Sequence, residues 1–390
     1  MNALKSRLTL QRPGKLFHRL VARAAARAVA TVIGFACHGA AWCVEPIVVG
    51  QTYIGSGPVA NFSTEPLLGI RAMLTQVNHA GGIGGRPVVL RQFDDANVAD
   101  KAESNVRQLA KEGAVAILMP IGTLPSVGTM KAAAVLKVPV VGPYTGAQQV
   151  YAASTGIFPV RISFADEATR IVNHMALIGQ TRIVAVRIDN TGAKVPIEAA
   201  RLSLQEHGSN LLGEFVLSQD GMDADLVAKQ VAALKPQGIF MSVSNLVARN
   251  FIASYRSTGQ TAQFYSTSFL NGSQLHQDLG AAARGVVIMQ VVPSPQLSIP
   301  LAAEFRASMS AIGATNSITY SSFEGYIAAK ILVEALRKST PPSPDAVQRA
   351  LLSMDGYDLG GVSITFKRQG QGALNYGKLS MLGADGRFIH

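Results

Sequence analysis

The sequence predicts an α/β protein made of two doubly wound parallel-sheet lobes. Three observations carry that expectation. The chain has 390 residues, more than one hydrophobic core ordinarily serves. From residue 47 onward, short apolar runs alternate with segments of helical period, the βαβ rhythm that calls for parallel strands and right-handed crossovers. The run at 115–119 is apolar at every position, which suits a strand covered on both faces. A hydrophobic share of 48% against 15% charged residues agrees with a globular chain.

Taken in order, a strand at 47–53 precedes a polar turn and a helix at 65–80, and a strand at 88–93 precedes a helix at 98–111. Asn97 and Asp100 look like the capping pair of that helix. After the strand at 115–119 come a helix, a strand at 138–141, a strand at 157–161 and a helix at 166–178. Strands at 183–187, 211–217, 238–242 and 263–266 then alternate with helices at 195–207, 223–234 and 246–257. A strand at 286–292 runs into Pro293-Ser294-Pro295, followed by helices at 299–309, 321–339 and 344–354 and strands at 362–366 and 378–382. So many strands crowd one sheet, and 158–163 and 291–295 are the natural breaks between two.

The stretch 114–146 organises the rest. Ile121-Gly122-Thr123-Leu124-Pro125 supplies a flexible glycine, a hydroxyl and a proline suited to the first turn of a helix. Val127, Met130 and Ala134 give that helix a face for the sheet, while its N-terminal N–H groups, beyond the strand end, attract anions. The strand at 138–141 ends in Gly142-Pro143-Tyr144-Thr145-Gly146 on the same edge, because parallel strands deliver their C-terminal ends to one side. Two such loops make a crevice. Thr123 is either a donor to a ligand there or simply the cap of its helix.

The formal charge of +11 is unevenly placed. Residues 1–43 hold seven basic side chains and no acidic one, leaving 28 basic against 24 acidic in the remainder. That basic segment, followed by an uncharged run at 28–44 with Gly39, Ala40 and Ala41 near its end, has the layout of a secretory signal peptide. A transmembrane anchor is the alternative, but the run falls short of the roughly 20 apolar residues a span needs. Cleavage after Ala41 or after Cys43 both suit the pattern. Trp42 before Cys43 fits a lipoprotein site poorly, Ala36 before Cys37 less so, and a soluble mature protein is expected. With Cys37 and Cys43 the only cysteines, the body has neither a disulfide framework nor a cysteine metal site.

Catalytic and nucleotide signals are weak. Gly55-Ser56-Gly57-Pro58-Val59-Ala60 fits G-x-G-x-x-A, but Asp94 stands about 35 residues on instead of the usual ~20, and Pro58 and Pro66 delay the helix. The seven histidines are scattered, no metal-ligand spacing occurs, and no G-x-S-x-G elbow is present. Asp94-Asp95 and Asp166-Glu167 sit at strand-to-helix junctions, where capping is the expected task. Arg249, Arg256, Arg337 and Lys338 lack aromatic interleaving, so no nucleic-acid surface is expected.

Over about 47–382 the chain resembles the extracytoplasmic solute-binding proteins of branched-chain amino-acid ABC transporters, the leucine/isoleucine/valine-binding family. The likeness rests on Ser56-Gly57-Pro58-Val59-Ala60, the run VNHAGGIGGR at 77–86, Asp94-Asp95, Gly122-Thr123, Gly142-Pro143-Tyr144-Thr145-Gly146-Ala147 and Phe323-Glu324-Gly325-Tyr326. It implies a type I periplasmic binding protein whose lobes are joined by a three-crossing hinge. The first lobe would comprise 44–163 and 293–375, the second 164–292 and 376–390, with 1–43 as the signal peptide. It further implies that Gly122, Thr123, Tyr144, Thr145 and Gly146 hold the ligand's carboxylate and amine, and that Phe62 packs on the ligand. In the second lobe Ser268 stands where the family commonly has an acid for the ammonium, and Gly192-Ala193-Lys194 where it often has an aromatic before glycine. A carboxylate without an α-amine, or an amide, would suit that change.

The expected role is therefore the substrate-binding component of an ABC importer, a monomer in the periplasm whose partners are a small ligand and a membrane permease, with no cofactor or metal and no enzymatic activity. A ligand-sensing protein of the same fold, feeding a receptor instead of a permease, is the alternative. A secreted enzyme would need a catalytic constellation that is missing, and a repressor would need a helix-turn-helix at the N-terminus.

Overall fold

The run Ile47–Tyr53 forms strand β1, flanked by β2 (Val88–Asp94) on one side and by β3 (Ile117–Leu118), β4 (Val140–Val141) and β5 (Ile157–Phe158) on the other, all parallel. The computed structural model of the chain describes residues 45–57, 59–152, 155–366 and 371–389; the basic N-terminal segment, Cys37, Cys43, both cleavage positions and Pro58 lie outside them. A second sheet holds β6 (Ile183–Ile188), β7 (Leu211–Leu217), β8 (Gly238–Ser242), β9 (Gln263–Ser266) and β10 (Val287–Gln290), parallel to one another. Its other edge is completed antiparallel by β13 (Lys378–Leu382) and β14 (Phe388–Ile389). Strands β11 (Tyr357–Asp358) and β12 (Ser363–Ile364) form a separate ribbon.

Both lobes wind the same way. The first sheet runs β2-β1-β3-β4-β5 and the parallel part of the second runs β7-β6-β8-β9-β10, each reversing direction beside its first strand. Such a reversal opens a crevice at the C-terminal ends of the flanking strands, where ligands of open α/β sheets bind. Strand β6 shows why the sheets are covered twice: every residue is buried, Val184, Val186 and Ile188 in one core and Ile183 and Ala185 in the other. The helices α10 (Pro300–Ala311), α11 (Tyr320–Arg337) and α12 (Pro344–Leu352) return to the first sheet, where Leu301, Phe305, Phe323 and Leu332 share a core with Ile47 and Val49. The chain therefore passes between the sheets after β5, after β10 and after β12. The first and last passages pair: Ala373 N donates to Pro159 O at 2.9 Å and Leu374 N to Val160 O at 3.1 Å.

Helix α11 lies directly on α1 (Thr64–His79). A Cβ on Gly69 would come within 1.7 Å of the Ser322 carbonyl, and one on Gly325 within 2.1 Å of the Pro66 carbonyl, so the two backbones touch. Their contact brings the first turn of α1 against the first turn of α11.

Several local expectations are corrected. Helix α3 (Thr123–Leu136) buries Pro125, Gly128, Thr129 and Ala132, while Val127 and Met130 are half-buried and Ala134 is exposed. The reason is close packing on α2 (Ala99–Lys111): a Cβ on Gly128 would sit 1.9 Å from the Ala99 carbonyl, so only small side chains fit that face. Asn97 does not cap α2; its φ is +61°, and the cap position is Val98 without a side-chain bond. Asp95 instead closes the turn ahead of the helix, accepting from Asn97 N at 2.9 Å and Thr52 Oγ1 at 2.7 Å. Asp94 likewise ties loops together, accepting from Gly55 N at 2.7 Å and Ala96 N at 2.8 Å. Strand β3 is shorter than expected at both ends: Met119 leaves the strand conformation at φ +48°, although its N–H still donates to Val141 O at 2.8 Å, and Val115 and Ala116 keep hydrogen bonds to β1 outside the strand proper. Helices α4 (Gln148–Ala152) and α9 (Gly272–Leu279) were not anticipated.

Candidate ligand-binding cleft

The loops after β3 and β4 are zipped to each other. Tyr144 N donates to Pro120 O at 2.9 Å and Gly122 N to Tyr144 O at 3.3 Å, a parallel bridge beyond the end of the sheet. Gly122 has φ +94°, left-handed territory that favours glycine, and its position starts α3 immediately over the edge. Thr123 is the first helical residue, and no side chain caps α3. Its hydroxyl instead lies 2.8 Å from that of Thr145, which is buried and also accepts from Ala147 N at 3.2 Å. Gly146 is used differently: its carbonyl accepts from Phe164 N at 2.8 Å, and the Phe164 ring stands 2.6 Å from where a Cβ would be. It is the seat of helix α5 (Phe164–Leu177), whose first residue belongs to the passage between lobes.

Beneath the loops the first passage carries Arg161. Its Nε and Nη2 donate to the two oxygens of Glu324 on α11 at 2.7 and 2.6 Å, with both side chains about 4% exposed. The Tyr144 ring lies over the guanidinium at 4.7 Å, and Tyr151 donates to the Arg161 carbonyl at 2.9 Å. Two of the guanidinium's N–H groups are thus engaged by Glu324.

The pair Asp166-Glu167 divides its labour. Asp166 forms the expected capping box of α5 with Ser163. Glu167, expected to cap as well, is fully buried and accepts from Ser268 N at 2.6 Å and Ser268 Oγ at 2.8 Å. Burial pushes its carboxyl up to about 7, against the opposing pull of Arg161 and of both Ser268 donors. The Ser268 position therefore comes with an acid after all, delivered from another helix.

The lobes meet across the cleft through Phe62 and Phe269, whose rings stack at 5.7 Å, with Phe164 edge-on to Phe269 at 6.2 Å. Beside them, Glu65 in the first turn of α1 accepts from Thr319 Oγ1 at 2.9 Å and, from the second lobe, from Asn271 Nδ2 at 3.0 Å. The remaining cavity, about 30 Å³, is walled by Glu65, Tyr144, Arg161, Ser268, Asn271 and Glu324 among others. Of the expected ligand residues, Tyr144 and Ser268 face it; Thr123 and Thr145 sit together off its wall, and Phe62 closes the lobes beside it. Among the described residues no group of His, Cys, Asp or Glu is placed to hold a metal ion, and no helix is long and apolar enough to cross a membrane.

Arg161, Glu167, Glu65, Asn271 and Phe269 were not singled out in the sequence as site residues. Two signals were available: Asp166 alone completes the capping box, so a second acid beside it had no local task. Arg161 likewise is a single charge in the apolar run Phe158-Pro159-Val160-Arg161-Ile162, a placement that needs a partner.

Two equally wound lobes, passed three times by the chain and shut over a polar cleft, define a hinged two-lobe binding protein. The chain belongs to the periplasmic binding protein family, a family of substrate-binding proteins whose model matches residues 46–390. Among solved structures it is similar to a substrate-binding periplasmic protein from Ralstonia solanacearum, at 28% identity and TM-score 0.81, with 88% of this chain and 99% of that one covered. An extracellular ligand-binding receptor from Verminephrobacter eiseniae matches at 26% identity and TM-score 0.82, covering 89% and 100%. A branched-chain amino-acid ABC transporter protein from Thermus thermophilus, solved with bound valine, shares the fold at 15% identity and TM-score 0.79, covering 89% and 95%. No curated protein matches the chain at a significant level.

Proposed function

We propose that the protein is the substrate-binding component of an ABC importer, exported through removal of residues 1–43, and that it takes a small carboxylate-bearing ligand, an amino acid or a related acid or amide, between its lobes. The observation that carries this reading is the Thr123–Thr145 hydroxyl pair at the head of α3. Neither hydroxyl serves as that helix's cap, and the adjoining first-turn N–H groups and helix dipole favour negative charge. Phe62 supplies an apolar surface for the ligand's remainder when the lobes part. The mature chain acts as a monomer that passes its ligand to a membrane permease.

A thermal-shift screen of the purified protein against amino acids, aromatic acids, dicarboxylates and amides tests the reading. A ligand at 100-fold its Kd adds about 2.7 kcal/mol of stability, a readily measured rise. A screen in which no carboxylate raises the melting temperature overturns it.

A further inference from the structure

We propose that the outer edge of β2 is a docking edge for an extended segment of another protein, with apolar residues at alternate positions and acidic residues between them, which adds to the first sheet as a further strand. Strand β2 is the end of its sheet. Ile47 N donates to Pro87 O and Asp95 N to Tyr53 O, so the odd-numbered residues of β2 turn their backbone groups to β1 and the even-numbered ones turn theirs outward. Side-chain amides hold both ends of that outward row. Asn78 Nδ2 donates to Val88 O at 2.9 Å and its Oδ1 accepts from Val88 N at 2.8 Å, as a neighbouring strand would, while Asn105 Nδ2 donates to Asp94 O at 3.2 Å. Between them, among the described residues, the backbone N–H and C=O of Leu90 and of Gln92 have no partner.

A row of open N–H and C=O groups at strand spacing is matched by another extended backbone, and pockets beside it select the side chains of that backbone. Here a groove of about 450 Å³ runs along the edge between β2 and α1, with Leu67, Leu68, Leu74 and Leu90 on its wall and the exposed Arg71 beside them. Side chains alternate along a strand, so Leu90 and Gln92 face the groove while Arg91 projects, exposed, on the opposite face. Among the described residues neither Arg71 nor Arg91 has a hydrogen bond or an ion pair, so each face of the edge carries an unmatched cation. Acidic residues are their complement, and apolar ones the complement of the groove. A second copy of this chain fits badly. The symmetric antiparallel register that joins Leu90 to Gln92 of the copy sets Arg91 opposite Arg91 of the copy, a like-charge pair. The neighbouring symmetric registers run into Val88 or Asp94, whose carbonyls Asn78 and Asn105 already hold.

The probe is a fluorescent, end-blocked octapeptide of alternating valine and glutamate, titrated with the purified protein and followed by anisotropy. Its companions carry lysine in place of glutamate, or are N-methylated at the valines or at the glutamates. Saturable binding of the glutamate peptide is expected, about tenfold or more weaker with lysine, since charge pairs turn from attraction to repulsion. N-methylation of one alternate set should abolish binding and that of the other should leave it within about threefold, because only every second N–H of an added strand meets β2. Leu90→Pro removes an outward donor while sparing the ladder to β1, and should abolish binding. Arg91→Glu alters only an exposed side chain, should reverse the preference between glutamate and lysine peptides, and carries the test if Leu90→Pro does not fold. No saturable binding of the glutamate peptide, an equal effect of the two methylations, or an unchanged preference in Arg91→Glu each overturns the docking edge. A wild-type dimer in sedimentation equilibrium that is lost in Leu90→Pro gives the edge to a second copy and overturns the proposed partner.

Discussion

Arg161 and Glu324, 163 residues apart, meet through two hydrogen bonds of 2.7 and 2.6 Å, with both side chains about 4% exposed. The first passage between the lobes is thereby tied to helix α11. Removing one partner leaves a buried charge without compensation, at a cost of about 3–5 kcal/mol. Glu324→Gln and Arg161→Met should each lower the urea midpoint by that equivalent, whereas the double variant Arg161→Met/Glu324→Leu should recover a large part of the loss. A double variant no more stable than either single one would show that the pair's worth lies elsewhere than in mutual compensation.

Glu167 makes stability depend on pH. Its carboxyl titrates near 4.5 when unfolded and near 7 in the folded protein, so between those values the folded state binds more protons. The stabilisation from this group is complete below the unfolded value and is lost as pH rises through about 7. The slope from one carboxyl is at most about 1.4 kcal/mol per pH unit. Comparing unfolding free energies of the wild type and Glu167→Gln from pH 4.5 to 8, the difference between the two should change steadily in that sense; parallel curves would refute it.

Thr123→Val keeps the shape of the side chain and removes the hydroxyl that meets Thr145. Hydrogen bonds to charged groups contribute roughly 1.5–3 kcal/mol, so affinity for a carboxylate ligand found by screening should fall about tenfold or more. Since α3 has no side-chain cap, melting temperature should move little. Calorimetric titration with unchanged affinity would remove Thr123 from the site.

The contact of α1 with α11 tolerates no side chain at its centre. Gly325→Ala would press a methyl onto the Pro66 carbonyl and should cost about 1–3 kcal/mol or more through forced backbone shifts. Gly192→Ala, in a helix and with only Asn190 Oδ1 near at 3.5 Å, should be neutral or gain about 0.5–1 kcal/mol. Chemical denaturation of the two variants side by side checks the contrast.

The βαβ rhythm was legible because it is written in local periodicity: the strand at 47–53 and the helix beginning at 64 coincide with, or closely match, what the residues alone suggest. The loops at Gly122-Thr123 and Tyr144-Thr145 were legible for the same reason, since glycine, proline and hydroxyl residues at the ends of apolar runs announce a polar edge. Helix α3 was misread at its buried face because apolarity was used to judge which side is covered, whereas close approach of α2 selected for smallness. Glu167 was misread because a capping acid and a buried one look alike in sequence.

What the sequence by itself determined is the winding: covalent order and side-chain period dictate parallel strands, their crossovers and the edge on which the loops gather. What only the tertiary structure decided is which partner each buried or cleft-side charge meets. Arg161 with Glu324, Glu167 with Ser268 and Glu65 with Asn271 are separated by 163, 101 and 206 residues. Arg161 and Glu65 find their partners through the first-lobe helices that touch at Gly69 and Gly325 and through the approach of the second lobe, and Glu167 finds Ser268 through packing inside the second lobe. Local propensity acts over a few residues, while hydrogen bonding and burial act through space, so the cleft's chemistry emerges only when the fold has brought those distant groups together.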